Sequence, residues 1–235
     1  MNRWLIALLA ALAFAGQVAA DGGETPFKLT AGYYVFSGGA RGVDVNVRHS
    51  SDLGNVWLGQ YQSHQRQENQ WRTGWDHTFG DSIRISPSVQ AAAHGFFGGS
   101  VNVETGDSWF VGGGLGRTNL KPYWNLNFDP NDAWSLSAGY RQTDGATWSV
   151  LKVRDNRENP DQQHVHFVWR QPLPDRQRLT IDLLRKKGLV EDEMIRRWGA
   201  SVTYDWPRFF LRAAWDPKAN FGPDNLWRFD LGTRF

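Results

Sequence analysis

The last ten residues of the chain, 226–235, constrain its fold more than any other segment. Apolar and polar residues alternate strictly there, with Trp227, Phe229, Leu231 and Phe235 on one parity and Arg228, Asp230, Gly232 and Arg234 on the other. A period of two is typical of a β-strand with one apolar face and one polar face. The same alternation recurs in residues 43–49, 71–76, 83–90, 123–128, 134–141, 164–170, 179–183, 197–206 and 209–216. The sequence therefore predicts an all-β fold.

The first twenty residues carry the three parts of a secretory signal peptide. Asn2-Arg3 forms a short positive region, residues 5–16 are an apolar run, and Val18-Ala19-Ala20 is a small-residue cleavage site. The apolar run is well short of the roughly 20 residues that a membrane-spanning helix needs. We therefore predict a signal peptide over residues 1–20 and one domain over residues 21–235.

Composition narrows the class of protein further. The chain has no cysteine, which excludes disulfides and thiolate metal sites, and its net charge of +2 gives little reason to expect a nucleic-acid partner. Its mean hydropathy is only −0.53, yet it contains 13 tryptophans. A β-barrel in lipid needs just one apolar face, keeps a polar interior and carries aromatic residues at both membrane interfaces. We therefore predict a single antiparallel transmembrane β-barrel rather than a soluble β-sandwich, whose strands also alternate.

Turn-forming residues divide the chain into hairpins. Tight linkers are predicted at residues 38–42, 80–82, 105–107, 129–132, 172–177 and 205–207, and longer polar linkers at 154–163, 187–193 and 217–225. Short and long connections that alternate are typical of periplasmic turns and extracellular loops. The strand count is fourteen if 83–89 and 98–104 are separate strands, and likewise 109–117 and 121–128. It is twelve if one of these hairpins is a single long strand, and the unbroken alternation from Ser82 to Thr105 leaves both counts open.

If the apolar parity faces lipid, the polar parity lines the lumen. The predicted solute-binding residues on it are Arg48, Arg72, Arg84, Arg117, Lys121, Arg141, Arg170, Arg197, Arg212 and Arg228, with Lys186 and Arg234 as further bases. Fewer acids share that parity, namely Asp44, Asp76, Glu104, Asp182, Asp205, Asp216 and Asp230. A basic lining favours anionic solutes in a confined channel. The alternative is that the arginines pair with these acids and fill a narrow barrel.

Three segments resemble known bacterial barrels. The closing strand, which ends on Phe235, resembles the terminal strand that the outer-membrane assembly machinery reads. Together with residues 122–141 and 196–204, its layout resembles the small oligosaccharide-specific porins of the oligogalacturonate and N-acetylneuraminate channel type. This resemblance implies a monomer in the bacterial outer membrane, surrounded by its lipids and lipopolysaccharide, that passes small anionic solutes such as acidic oligosaccharides without a cofactor. The chain departs from that family by extra residues between Ser82 and Phe128.

Enzymatic and metal-binding alternatives rest on few residues. An outer-membrane lipid or lipopolysaccharide hydrolase needs a serine within reach of a histidine, and the candidates are His94 with Ser88 or Ser100, and the neighbours Ser63 and His64. Neither His64 nor His94 is followed by a serine two residues later, so we predict no enzyme. Histidines 164 and 166 share one strand face but lack an evident third ligand, so we predict no metal site. A non-conducting barrel for assembly or export remains a further alternative.

Overall fold

The computed structural model describes residues 25–126, 129–190 and 192–235. Over these residues the chain forms fourteen antiparallel strands in one closed barrel, each paired with its neighbours in sequence. The strands are β1 Phe27–Phe36, β2 Arg41–Ser51, β3 Gly54–Ser63, β4 Glu68–Asp76, β5 Ile83–Ala92, β6 Phe96–Thr105, β7 Trp109–Thr118, β8 Ala133–Arg141, β9 Thr147–Asp155, β10 Gln163–Leu173, β11 Gln177–Val190, β12 Glu193–Asp205, β13 Phe209–Asp216 and β14 Leu226–Arg234. The predicted all-β barrel is confirmed. The predicted signal peptide, residues 1–20, lies outside the described residues.

The first and last strands close the barrel against each other. The Phe27 nitrogen donates to the Phe235 carbonyl at 2.9 Å and the Phe235 nitrogen donates to the Phe27 carbonyl at 3.0 Å. Their rings stack with centroids 5.8 Å apart. Closure leaves no strand edge with unpaired backbone groups, which is the condition for a sheet to cross lipid.

Apolar side chains cover the outside of the barrel. Leu58 on β3 is 61% exposed, Leu136 on β8 is 57% exposed and Trp198 on β12 is 59% exposed, whereas the polar parity is buried, with Asp44 at 2% and Lys186 at 0%. This arrangement is the reverse of a soluble protein. The predicted orientation, with apolar residues outward and charges inward, is confirmed.

Outward aromatic residues gather near both ends of the barrel. Trp148 and Trp169 stack with ring centroids 5.4 Å apart near the end that holds the termini, where Trp109 is 75% exposed. Trp215 and Trp227 lie 4.8 Å apart near the opposite end. Two such girdles are typical of transmembrane barrels. Among the described residues, no helix is long and apolar enough to cross a bilayer.

The two ends of the barrel differ in their connections. At the terminal end, which holds residues 27 and 235, the longest connection is 77–82. At the opposite loop end, the connections 119–132, 156–162 and 217–225 are longer. The predicted linkers at 154–163 and 217–225 are confirmed. The predicted long linker at 187–193 is wrong, because β11 and β12 stay paired as far as Val190 and Glu193 and leave only a tight turn, of which residue 191 lies outside the described residues.

The structure has fourteen strands, one of the two predicted counts, but they are not the fourteen strands that the sequence predicts. Residues 83–92 and 96–105 are separate strands, joined by a short 3₁₀ turn in which His94 and Gly95 have φ of 62° and 75°. However, the predicted strand at 121–128 is wrong, since residues 121–126 form part of a long connection and 127–128 lie outside the described residues. The predicted tight turn at 129–132 belongs to the same connection.

Candidate functional site

Between β7 and β8, residues 119–126 and 129–132 fold into the barrel, and these described residues are called the inserted loop here. The side-chain amide of Gln70 on β4 binds the backbone of the inserted loop at Trp124. It accepts a hydrogen bond from the Trp124 nitrogen at 2.9 Å and donates one to the Trp124 carbonyl at 3.0 Å. Arg228 on β14 donates to the Leu126 carbonyl at 2.9 Å. Because β4 and β14 lie on different parts of the wall, these bonds anchor the loop across the lumen.

Apolar contacts inside the barrel fix the loop further. Leu126 is 2% exposed and packs in a cluster with Tyr34, Tyr61 and Leu226. The Trp124 ring meets the Phe36 ring edge-on, with centroids 5.8 Å apart. The sequence predicted Trp124 and Leu126 on a lipid-facing strand, and that placement is wrong. Their alternation reflects an inward turn of the chain that buries Leu126 and partly buries Trp124 against inward aromatic residues of β1 and β3.

Buried ion pairs fill the inner surface of β10–β14 and β1–β4, which is called the packed half. Arg72 donates two hydrogen bonds to Asp44, at 2.7 and 2.8 Å. Lys186 donates to Asp216 at 2.6 Å, and both side chains are almost fully buried. In such pairs each charge compensates the desolvation of its partner, so neither charge remains unpaired to bind a solute. Two predicted solute-binding residues, Arg72 and Arg228, the latter paired with Asp230 at 2.8 Å, are therefore structural.

The inner surface of β5–β9, the open half, encloses two cavities instead. One, of about 380 Å³, lies towards the inserted loop, and the other, of about 340 Å³, lies towards the terminal end. They share Asn102, Ser135 and Leu151 as lining residues, so they adjoin along the wall. Hydroxyl and amide groups dominate this wall, for example Ser88 and Ser100, whose hydroxyls lie 2.8 Å apart.

Glycines on the inner face of β7 keep this space open. A Cβ added at Gly114 would collide with the Asn102 side chain and lie 2.8 Å from the Ser135 hydroxyl. A Cβ at Gly116 would collide with the Asn131 carbonyl of the inserted loop. Glycines 112, 114 and 116 therefore give β7 an inner surface without side chains.

Inward charges at the terminal end form a group called the terminal mouth. Its bases are Lys28, Arg48, Arg84, Arg141, Arg170, Arg178 and Arg234, and its acids are Asp76, Glu104 and Asp205. Glu104 accepts from both Arg84 at 2.8 Å and Arg141 at 2.5 Å. Asp205 is likewise shared by two arginines, at 3.1 and 2.5 Å. Each of these acids forms an ion pair with at least one base. Because seven bases face only three acids, the terminal mouth carries an excess of positive charge.

The predicted solute-binding residues thus lie in different parts of the barrel. Arg48, Arg84, Arg141 and Arg170 lie at the terminal mouth, while Arg212 lies inside without an ion pair to any described residue. Arg197 shares the inward parity but is exposed at the loop end, where it donates to the Arg196 carbonyl at 3.1 Å.

The Arg117 side chain does not point into the lumen as predicted, although residue 117 borders the cavity of about 380 Å³, and Lys121 lies in the inserted loop. Arg117 shares the outer face of β7 with Val111 and Leu115, which are 57% and 50% exposed, because the strand keeps its two-residue alternation. Lys121 is exposed in the inserted loop. The sequence missed Lys28 and Arg178, although Arg178 has the same parity as Thr180 and Asp182.

The serine and histidine candidates for hydrolysis do not meet. His94 lies in the 93–95 turn, whereas the Ser88–Ser100 pair lies four residues down both strands, roughly 13 Å away at 3.3 Å per residue. The Ser63 hydroxyl donates to the Arg41 carbonyl at 2.7 Å. In the described ranges no serine hydroxyl is hydrogen-bonded to a histidine, so neither pair forms the start of a triad.

The inserted loop brings a carboxylate to the two histidines of β10. Asp129 Oδ1 lies 2.8 Å from His164 Nδ1 and 3.0 Å from His166 Nε2. Burial alone would raise the pKa of Asp129, but the hydrogen bonds from the two histidines hold that pKa well below its usual range. On its other side, His166 Nδ1 lies 3.0 Å from the Asp182 carboxylate of β11. The third side chain that the sequence did not reveal is therefore Asp129.

The fold is a closed, fourteen-stranded antiparallel β-barrel with an apolar outer surface. No protein-family model matches the sequence, and no curated protein sequence matches it significantly. Among solved structures, outer membrane protein Omp33 of Acinetobacter baumannii is similar, with a TM-score of 0.59 and 11% identity over 92% of this chain and 100% of that chain. The KdgM porin matches with a TM-score of 0.49 and 8% identity over 88% and 99%. The NanC porin matches with a TM-score of 0.49 and 11% identity over 88% and 100%. At 11% identity, the likeness to Omp33 shows the fold alone.

Proposed function

We propose that this chain is a diffusion channel of the bacterial outer membrane that passes small anionic solutes along the open half of its barrel. The observation that carries this proposal is the continuity between the hydrophilic cavities of β5–β9 and the basic terminal mouth. Arg84, Glu104 and Arg141 belong to both, because they line the cavity of about 340 Å³ and lie at the terminal ends of their strands.

The size of the cavities limits the solute. Their volumes of about 380 and 340 Å³ lie near the lower end of the 300–1,000 Å³ typical of pockets for drug-sized ligands. Serine and asparagine side chains along the wall supply hydrogen bonds in place of those that a hydrated solute loses. We therefore expect small polar acids to pass in preference to long oligosaccharides.

The terminal mouth supplies the charge preference. A ring of bases in a confined passage raises the local concentration of anions. Carboxylates also lie in the turns of this end, at Asp52, Asp81, Asp107, Asp144 and Asp175. These turn residues face bulk solvent, where physiological salt screens charges beyond about 8 Å. The inward bases, which face less water, dominate the field inside.

Reversal potentials under a KCl gradient across a planar bilayer test this proposal. The wild-type channel should prefer chloride. Replacing Arg84 and Arg141 together by serine leaves Glu104 without its two partners, which converts this part of the mouth from net positive to net negative. The reversal potential should then move towards that of a potassium-selective channel.

The matched control replaces Arg185 and Arg196 together by serine, which removes two positive charges from the outer faces of β11 and β12, away from both cavities. It should leave the reversal potential unchanged. A wild-type channel that prefers potassium, or an Arg84 and Arg141 variant indistinguishable from the control variant, would contradict the proposed anion preference.

One observation favours a second candidate, a barrel that does not conduct. The inserted loop, through the packing of Leu126 against Tyr34, Tyr61 and Leu226, closes the packed half at the loop end. If purified protein inserts into bilayers without conductance steps, the chain is better understood as a closed barrel that serves assembly or export with partner proteins.

A further inference from the structure

We propose that Asp129, His164 and His166 form a binding site for a divalent transition metal, with zinc as the best fit, that fastens the inserted loop to β10. The proposal does not rest on whether the barrel conducts. Asp129 comes from the inserted loop and the two histidines come from the barrel wall, and more than thirty residues separate them in sequence.

The donor atoms are already close enough to surround an ion. Asp129 Oδ1, His164 Nδ1 and His166 Nε2 all lie within 4.8 Å of one another. Zinc binds histidine nitrogen at about 2.0–2.1 Å, so neighbouring ligand atoms in a tetrahedral site lie about 3.3 Å apart. The distances of 2.8 and 3.0 Å from Asp129 to the two histidines need to widen by a few tenths of an ångström, and the two histidine nitrogens, which lie within 4.8 Å of each other, need to reach the same spacing.

A second carboxylate holds one ligand in the orientation that a metal requires. His166 points Nε2 at the cluster while its Nδ1 lies 3.0 Å from both Asp182 oxygens. A ligating histidine that donates its other N–H to a carboxylate is the usual outer arrangement of zinc sites, because it fixes the tautomer and makes the ligating nitrogen more basic. Asp182 comes from β11, so two strands and the loop meet at this point.

Ligand chemistry and access select the ion. Two imidazoles and one carboxylate suit zinc, whereas magnesium and calcium prefer sites made of oxygen atoms alone. Asp129 also lines the cavity of about 380 Å³, which gives the ion an entry path and leaves room for water as a fourth ligand. An ion bound here would lie between β10 and the edge of that cavity.

A network held by protons is the competing explanation for the same distances. A measurement of metal binding distinguishes the two explanations, because a network held only by protons would take up no metal ion. Tag-free protein is refolded in detergent, stripped with EDTA and titrated with Co²⁺ and Zn²⁺. We expect one equivalent of Co²⁺ to give the visible absorption of a four- or five-coordinate site, and Zn²⁺ to displace it. Absence of uptake by folded wild-type protein would overturn the proposal without any variant.

Variants then locate the ion. His166→Gln and Asp129→Asn should abolish the cobalt spectrum, and Asp182→Asn should weaken binding by about 10- to 100-fold. The controls are His64→Gln and His94→Gln, which change exposed histidines in turns of the loop end. If the controls lose the spectrum while His166→Gln keeps it, the ion binds elsewhere and the assignment is wrong.

Discussion

Replacing Arg72 by methionine should strongly destabilise the barrel, and the structure sets the size of the effect. Arg72 makes two hydrogen bonds to Asp44, a carboxylate that is only 2% exposed. Removing one partner of a buried pair leaves an uncompensated charge, which costs about 3–5 kcal/mol. For a urea dependence of about 2 kcal/mol per molar, a loss of about 4 kcal/mol lowers the unfolding midpoint by about 2 M.

A second ion pair between the same two strands is the matched control. Arg48 on β2 and Asp76 on β4 lie 3.2 Å apart, with side chains 39% and 33% exposed. Because water solvates both partners, Arg48→Met should lower the free energy of unfolding by about 0–1 kcal/mol. Adding Asp44→Asn to Arg72→Met removes the stranded charge and should recover much of the loss.

Urea titration in detergent micelles measures these differences, with the fluorescence of the 13 tryptophans as the signal. Equal losses for the Arg72 and Arg48 variants would refute the argument that burial inside the barrel decides the strength of its ion pairs. A double variant no more stable than Arg72→Met alone would show that the loss comes from packing rather than from charge.

Two further predictions concern the cavity and the inserted loop. Gly114→Leu should fill the space beside Asn102 and lower single-channel conductance by at least half, as read from current steps in a planar bilayer. The lowered pKa of Asp129 predicts that its bonds to His164 and His166 stabilise the loop above pH 4 or so, the ordinary range of an aspartate. That stabilisation begins to fall below pH 4 and is fully lost only as the pH falls through the lowered pKa, so proteolysis of the loop by an acid-stable protease should rise in part at pH 3 and further at pH 2.

Each of these two predictions has its own control. Gly113→Leu adds the same side chain to the outer face of β7 and should leave conductance unchanged; an equal drop in both variants would count against the cavity. Asp129→Asn should make the loop equally sensitive to protease at pH 7 and pH 3. A variant that keeps the wild-type dependence on pH would assign the effect to another carboxylate.

The barrel itself was predictable because its cause is local. Alternation of apolar and polar residues fixes the face of each side chain, and the strands around Val43, Ile83 and Trp198 all follow it in the structure. The strand number was open because the 93–95 turn pairs Ala92 with Phe96, four residues apart, so the parity does not change across the hairpin. Its His-Gly sequence also differs from the Asn-Gly and Asp-Gly signals typical of tight hairpins.

The inserted loop was not predictable, since its conformation depends on distant residues. Trp124 and Leu126 alternate with polar neighbours as a strand would. Their partners, Gln70 and Arg228, lie 54 and 102 residues away in sequence. Nothing in the local pattern distinguishes apolar residues that face lipid from apolar residues that turn into a barrel.

The pairing of the lumen charges was likewise hidden in the sequence. Parity places Asp44 and Arg72 inside, but their contact crosses an intervening strand and depends on the register of the whole barrel. For the same reason the sequence showed two histidines of β10 but not the Asp129 that joins them. Arg117 was misplaced for a simpler reason, because its parity in β7 is that of Val111 and Leu115.

Modification of single introduced cysteines tests most directly whether solutes pass along the open half. The chain has no cysteine of its own, so a charged methanethiosulfonate reagent reports one position at a time. Ser135→Cys, on the wall shared by both cavities, should lose conductance on modification, while Leu136→Cys on the outer face and Ala214→Cys in the packed half should not. Block at the Ala214 position with no effect at the Ser135 position would contradict the account.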